Sequence, residues 1–375
     1  MKLYLHIPFC KNKCLYCDFK SFPCADSDKI NDYLIGLNKE ITLAGTEFSS
    51  REITSVYFGG GTPSLLNLEQ FSSVFNTLSS SFNLPNNIEI TVECNPESVS
   101  KEKLQLMRSL GVNRISLGVQ SLLDDNLKAI GRVHDRQTAL DKIRLVKEYF
   151  SNLSVDFIVG LPHDTFESIR EEIEEVAPFV DHISVYMLSV ENGTPLERLV
   201  ESGKMILPDI DKQVDFFEHA CNILKNLGFE RYEVSNFAKD GKRSNHNTGY
   251  WTREEYLGLG LNASSLTKIS RENGVVEERF KNTDNVEKYL LDARNSLSYF
   301  DFERETTVLS DDEIYEETVM LALRLKDGID ERILGSKANI LKEKFADFIT
   351  ISNGRIALND KGMDVMNHIL VEILS

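Results

Sequence analysis

Six short runs of apolar and β-branched residues alternate with longer amphipathic stretches in the first half of the chain, and this alternation restricts the possible fold most. The predicted strands are residues 3–7, 55–58, 88–92, 114–117, 154–158 and 182–186. The predicted helices between them are residues 28–43, 68–78, 101–110, 136–150 and 165–178. Strands that alternate with helices form a parallel sheet with right-handed crossovers. The pattern fits a doubly wound sheet or a partial (β/α)6 barrel, and in both the functional residues lie at the carboxyl ends of the strands.

The remaining sequence is less regular. This change in pattern divides the whole chain into three predicted segments. We predict an α/β region at residues 1–205, a connecting α/β region at 206–300 and a C-terminal module at 301–375. Within the last segment, helical patterns precede a hairpin signal at Asn353-Gly354. Helices followed by a small hairpin are typical of a winged-helix module. The acidic chain favours structural packing over DNA binding for this module.

Charge and hydropathy exclude two classes of partner. The net charge is −17, from 42 basic and 59 acidic residues, which opposes binding to a nucleic-acid backbone. No apolar run approaches the ~20 residues that span a bilayer. The N-terminus, with strand-like residues after Lys2 and then a polar loop, does not resemble a signal peptide. We therefore expect a cytoplasmic protein, in which six cysteines do not indicate a disulfide framework.

Three cysteines, Cys10, Cys14 and Cys17, form a CxxxCxxC motif directly after the first predicted strand. Three thiolates can hold three irons of a cubic 4Fe-4S cluster, whereas most cluster proteins use four cysteines. The fourth iron then keeps an open coordination position. The alternative is a structural zinc site with His6 or Cys24 as its fourth ligand. Zinc sites usually recruit two spaced pairs of ligands, and this sequence has no second pair, so the motif favours a cluster.

An open iron beside a strand-end pocket is what S-adenosylmethionine (SAM) chemistry requires. The methionine moiety chelates the iron, and an electron from the cluster then cleaves the sulfonium to give a 5′-deoxyadenosyl radical. Gly59-Gly60-Gly61 follows the second strand and lets backbone groups approach a ligand closely. Glu93 could accept hydrogen bonds from ribose hydroxyls, and Arg132 could pair with the SAM carboxylate. The purely structural alternatives are a tight turn for the three glycines, an exposed loop acid for Glu93 and a surface ion pair for Arg132.

Three further polar residues are unusually placed. Asp156 lies in an otherwise apolar run, where a charge is costly without a partner. Gln120 ends the fourth predicted strand. His246 belongs to the segment His-Asn-Thr-Gly-Tyr-Trp, which contains the only tryptophan. Histidine is a regular haem ligand and aromatic rings offer flat faces to a macrocycle, but the residues alone favour a hydrogen-bonded loop histidine.

Together these residues resemble the radical SAM superfamily, and more narrowly the branch formed by oxygen-independent coproporphyrinogen III oxidases and haem chaperones. The resemblance runs through residues 4–10, 59–64, 117–121, 156–162, 232–238 and 246–251. It implies a partial (β/α)6 barrel with a C-terminal winged-helix-like domain, and a 4Fe-4S cluster on the three motif cysteines. The SAM contacts that it implies are Tyr4, Tyr16, Gly60, Gly61, Thr62, Glu93, Gln120, Arg132 and Asp156.

Two features separate the two kinds of relative. The oxidases carry a fourth cysteine two residues after the third, where this chain has Phe19, and an arm ahead of the first strand, which begins here at Leu3. The HNxxYW segment is a mark of the haem chaperones and is intact at His246, Asn247, Tyr250 and Trp251. The resemblance therefore implies a haem chaperone with His246 as a haem contact.

The resulting hypothesis is a cytosolic protein that binds a 4Fe-4S cluster and SAM, carries haem as cargo and passes it to an acceptor protein. An electron donor such as flavodoxin or ferredoxin would reduce the cluster. Oxidative decarboxylation of coproporphyrinogen III is the first alternative. The second alternative is a radical SAM enzyme with another substrate. A departure from the sequence pattern of the branch keeps this alternative open. The branch usually has Pro-Gly-Ala-His-Ser where this chain has Leu-Asn-Ala-Ser-Ser at residues 261–265, so Ser264 replaces a histidine.

Overall fold

The computed structural model describes residues 1–24, 26–271 and 274–374. Its strands are β1 (Lys2–Ile7), β2 (Phe9–Cys10), β3 (Phe22–Pro23), β4 (Ser55–Gly60), β5 (Glu89–Cys94), β6 (Arg114–Gln120), β7 (Leu153–Val159), β8 (His182–Met187), β9 (Glu230–Arg231), β10 (Asn236–Ala238), β11 (Tyr256–Leu259), β12 (Ser264–Arg271), β13 (Gly274–Asn282), β14 (Arg304–Val308), β15 (Ile329–Asp330), β16 (Ile349–Ser352) and β17 (Arg355–Leu358). Its α-helices are α1 (Ser27–Phe48), α2 (Leu68–Ser81), α3 (Lys101–Ser109), α4 (Asp124–Ala129), α5 (Arg136–Tyr149), α6 (Phe166–Val176), α7 (Pro195–Glu201), α8 (Ile210–Asn226), α9 (Asn245–Trp251), α10 (Val286–Asn295), α11 (Asp311–Ala322), α12 (Glu331–Leu334), α13 (Lys337–Lys344), α14 (Asp360–Asp364) and α15 (Met366–Leu374).

Six strands form the parallel centre of a 12-stranded sheet, in the order β1-β4-β5-β6-β7-β8. Helices α1, α2, α3, α4 with α5, and α6 connect successive strands. Beyond β1 the sheet continues through β11, which is parallel, and then through antiparallel β12, β13 and β14. Beyond β8 it continues through antiparallel β10 and β9. The α/β architecture of a partial (β/α)6 barrel is thus confirmed.

Apolar residues on the strands and the facing helices form one continuous core. Leu3, Leu5, Val56, Phe58 and Leu117 are all buried in it. Local capping fixes where several helices begin, because a side-chain oxygen satisfies an otherwise unpaired amide there. Ser27, Ser100 and Asp164 directly precede three of the predicted helices, and their short polar side chains predict N-caps there.

Ser100 does cap α3. Asp26, however, caps α1, and Thr165 caps α6 through a capping box. Asp164 instead accepts hydrogen bonds from the amides of Gly160 and Leu161. At the starts of α1 and α6 two short polar residues are adjacent, and the sequence pattern does not indicate which of the two caps the helix.

The C-terminal residues build a smaller unit with its own core. Helices α11 to α15 and the sheet β15-β17-β16 bury Val319, Leu334, Ile356 and Ile369 between them. The predicted hairpin joins β16 to β17 through Asn353 and Gly354, both with positive φ, as a type I′ turn requires. A single final helix was predicted at 360–374, but the structure has α14 and α15 there. The division into three segments stays a prediction.

No helix in the described ranges is long and apolar enough to cross a membrane.

Candidate functional site

A cavity of about 460 Å³ opens towards the carboxyl ends of the parallel strands. It brings together most of the residues that the sequence singled out. Those that line it are Cys10, Cys14, Cys17, Tyr16, Gly60, Gly61, Thr62, Glu93, Gln120, Arg132 and Asp156. They come from β2 and the loop after it, from strands β4 to β7 and the turn after β4, and from the segment between α4 and α5, so residues far apart in sequence face one space.

The three cysteines lie on one loop, and all three are free thiols. The loop is anchored by two backbone hydrogen bonds of Leu15, which donates to Ile130 and accepts from Leu196. Burial raises the pKa of the Cys10 and Cys17 thiols. Ligation to iron requires thiolates, so the positive charge of bound irons would have to offset that cost.

Glycines let this loop lie against the end of β4. Gly60 has φ 111°, a left-handed conformation that favours glycine. A Cβ atom on Gly61 would lie 2.7 Å from the Phe9 carbonyl oxygen and 3.0 Å from the Cys10 sulfur. The triple glycine is therefore needed to position the cysteine loop.

The donor set fits a cluster better than a single ion. In the part of the chain that the structure describes, no group of three or more His, Cys, Asp and Glu side chains gathers closely enough to hold one metal ion. Three thiols on separate positions of a loop suit three irons of one cluster. When bound, such a cluster supplies a low-potential electron.

Arg132 links the cysteine loop to the strand ends. Its guanidinium donates to the Gly118 carbonyl and to Asn95 Oδ1 at 3.0 Å, and Nη1 lies 3.4 Å from the Cys14 sulfur. Its Nε is buried without a hydrogen-bond acceptor among the described residues. A buried, unpaired N–H of a cation is costly, and a bound carboxylate would satisfy it.

Glu93 and Asp156 place two carboxyl groups in the cavity wall. Glu93 accepts hydrogen bonds from the Tyr57 hydroxyl at 2.8 Å and from the Gly60 amide at 3.1 Å. Burial raises its pKa to about 7, and the nearby Asp156 adds to the shift. Burial also raises the pKa of Asp156, against hydrogen bonds from Ser184 and Ser116. Both groups are well placed to accept hydrogen bonds from a polar ligand.

Gln120 adopts a strained conformation at the end of β6. Its φ is 71°, in a region that residues other than glycine rarely occupy, and the register with β7 shifts there. Glu172 fixes the following turn, because its carboxyl accepts from the Ser121 hydroxyl at 2.7 Å and the Leu122 amide at 2.8 Å. Such strain is commonly stored at functional sites.

Sequence reasoning missed a second set of lining residues on the same strands. They are polar and alternate with apolar residues: Arg114, Ser116, Ser154, His182 and Ser184. Alternate residues of a strand face the same side. A count of polar residues at every second position in β6, β7 and β8 would have indicated this polar interior.

Tyr4 does not line this cavity. It lines a second cavity of about 690 Å³, where its hydroxyl lies 3.0 Å from His6 Nδ1. Its ring stacks against Tyr57, which lines the first cavity. The Tyr57 ring thus lies between Tyr4 and the predicted SAM site.

His246 lines neither cavity and is 0% exposed. It lies in α9, not in a loop. Its Nδ1 is 2.8 Å from the Ser55 hydroxyl and its Nε2 is 2.8 Å from the Tyr250 hydroxyl. Burial lowers its pKa to about 3. With one ring nitrogen bonded to the first residue of β4 and the other to Tyr250 in α9, His246 in this conformation offers no lone pair to haem iron.

Comparisons with known proteins identify the family to which the chain is similar. The radical SAM superfamily signature matches residues 4–176. The haem chaperone HemW of Lactococcus lactis subsp. lactis is 32% identical over 99% of this chain and 96% of its own length. The mitochondrial radical S-adenosyl methionine domain-containing protein 1 of Danio rerio is also 32% identical, over 99% of this chain and 86% of its own.

The structural comparison gives the same fold. Coproporphyrinogen III oxidase (HemN) from Escherichia coli superposes with a TM-score of 0.83, covering 100% of this chain and 90% of that one. The sequence identity is 21%, so this match concerns the fold alone. From the sequence relatives and the strand-end cysteine site together, the chain belongs to the radical SAM family that includes the HemW proteins.

Proposed function

We propose that this protein binds haem and transfers it to an acceptor haemoprotein, with a 4Fe-4S cluster and SAM held in the first cavity. The observation that carries the proposal is the 32% identity to a haem chaperone over 99% of this chain and 96% of that protein. Because the similarity covers nearly the full length of both chains, the barrel and the C-terminal unit of this protein both correspond to parts of that chaperone.

The first cavity supports the cofactor part of the proposal. Cys10, Cys14 and Cys17 would each ligate one iron. Arg132 would pair with the SAM carboxylate through its free Nε, and Glu93 would accept hydrogen bonds from the ribose hydroxyls. The remaining SAM contacts that we propose are Tyr16, Gly60, Gly61, Thr62, Gln120 and Asp156, all of which line the cavity.

Phe19 supports a chaperone over an oxidase. It stands where the oxidases have a fourth cysteine, and its ring is 63% exposed beside the cysteine loop. A benzyl side chain offers no ligand to a metal. The cytoplasm is the compartment that we propose, and a one-electron donor such as flavodoxin or ferredoxin would reduce the cluster.

A haem titration of the anaerobically reconstituted protein tests the proposal. We expect a Soret band that saturates at one haem per chain, and transfer of that haem to an apo-haemoprotein such as apomyoglobin. Absence of saturable haem binding would refute the chaperone function. Conversion of coproporphyrinogen III to protoporphyrinogen in the presence of SAM and reductant would establish the oxidase instead.

A further inference from the structure

The second cavity adjoins the first. With a volume of about 690 Å³ it is the larger of the two, and it falls within the usual range for small-molecule sites. The two cavities share Asp18, Phe19, Gly60 and Glu93 as lining residues. A ligand in the second cavity would therefore lie next to whatever occupies the first.

One wall of the second cavity is aromatic. Tyr4, Tyr250, Trp251 and Tyr256 line it. The rings of Tyr250 and Tyr256 pack edge to face at 4.7 Å, and the Tyr250 hydroxyl is bonded to His246. The polar atoms of Tyr4 and Tyr250 are thus already satisfied inside the protein, so this wall offers mainly ring surface. Such a wall suits a large, flat, apolar ligand.

Another part of the wall comes from α11 of the C-terminal unit, which lies against α9. Glu317, Met320 and Leu321 line the cavity from this helix. Arg279 forms a bidentate ion pair with Glu317, and its side chain stays 38% exposed. Lys20, on the cysteine side, pairs with Asp284 and is 34% exposed. Both cations line the cavity and keep part of their side chains exposed, so each can donate a further hydrogen bond to an anionic substituent of a ligand.

We propose that the second cavity is the site of the haem macrocycle. This inference rests on the proposed haem-chaperone function. The porphyrin face lies against the aromatic wall, and its propionates are directed to Arg279 and Lys20. The C-terminal helix α11 closes the site, and Phe19 and Glu93 form the boundary with SAM. In this arrangement Tyr250 and Trp251 contact haem, whereas His246 supports them from behind.

A blocking variant tests the location. Ser264 lines the cavity from β12, whereas Ser270 is exposed on the same strand. We expect Ser264→Phe to weaken haem binding at least tenfold and to leave cluster content and SAM binding unchanged. Ser270→Phe is the matched control and should bind haem like the wild type. Wild-type haem affinity in a Ser264→Phe protein that holds its cluster and SAM would overturn the location.

A second measurement tests the anion contact by changing the ligand charge and one cation of the cavity. Haem dimethyl ester lacks the propionate charges. We expect the ester to bind the wild type more weakly than haem does, and Arg279→Gln to weaken haem but not the ester. Equal losses for haem and ester in Arg279→Gln would refute the propionate contact. If the wild type binds no haem at all, the proposed function fails, which is a different outcome from either of these.

Discussion

We predict that the raised pKa of Glu93 makes SAM affinity depend on pH. Burial raises this pKa to about 7, so the group is about 10% ionised at pH 6 and about 90% ionised at pH 8. If the carboxylate is the form that accepts from the ribose hydroxyls, the dissociation constant for SAM rises about tenfold on going from pH 8 to pH 6. That change corresponds to about 1.4 kcal/mol of binding free energy. SAM affinity falls at the lower pH because Glu93 is neutral below its raised pKa.

Equilibrium binding of SAM to the anaerobically reconstituted protein at pH 6 and pH 8 measures this change. Two other buried acids titrate in the same range, Glu172 with a pKa of about 7 and Asp164 with a pKa of about 6. The variant Glu93→Gln separates the contributions, because it removes only the part due to Glu93. Exposed Glu69→Gln is the control and should keep the full pH dependence. The reasoning is refuted if Glu93→Gln shows the same tenfold pH effect as the wild type.

Three further predictions concern single side chains. Replacing any motif cysteine, for example Cys14→Ser, should abolish iron binding after reconstitution, whereas Cys24→Ser should retain it; iron loss in the latter would make Cys24 a fourth cluster ligand and contradict the open iron. His246→Ala should lower the free energy of unfolding by about 2–3 kcal/mol through two lost hydrogen bonds and a cavity, yet leave haem affinity within twofold in a titration. Glu40→Ala should lower the free energy of unfolding, measured by chemical denaturation, by about 3–5 kcal/mol, because it leaves the buried Arg304 without its ion-pair partner. Glu47 is exposed on the same helix, and Glu47→Ala should change the free energy of unfolding by less than about 0.5 kcal/mol.

The parallel sheet was predictable because both of its signals are local. Each strand is a short apolar run and each crossover helix has an apolar stripe, so six strands were predicted close to their observed bounds. The sequence pattern also predicts a strand at residues 231–234, and this prediction was wrong for the opposite reason. Only Glu230–Arg231 forms a strand there, because Glu233 turns the chain by accepting from the amide of Ser235. A side-chain hydrogen bond of this kind leaves no periodic signal.

The site was predictable as a set of residues but not as two cavities. Motif spacing identifies which side chains lie at strand ends, since β geometry fixes that edge. It cannot show that Tyr4 lines the same cavity as the C-terminal helix α11, because that arrangement depends on how distant elements pack.

The HNxxYW segment shows how one short motif can divide its roles. In α9 the side chains of residues four apart lie on one face, and His246 and Tyr250 are joined there by a hydrogen bond. The histidine continues inward to Ser55 of β4, while the Tyr250 and Trp251 rings reach the second cavity. A motif that pairs a buried anchor with two rings lining a cavity can position a flat ligand without ligating its iron. The histidine then anchors α9 to β4 without touching haem, so its loss acts on haem only through Tyr250 and stays within the twofold change predicted above.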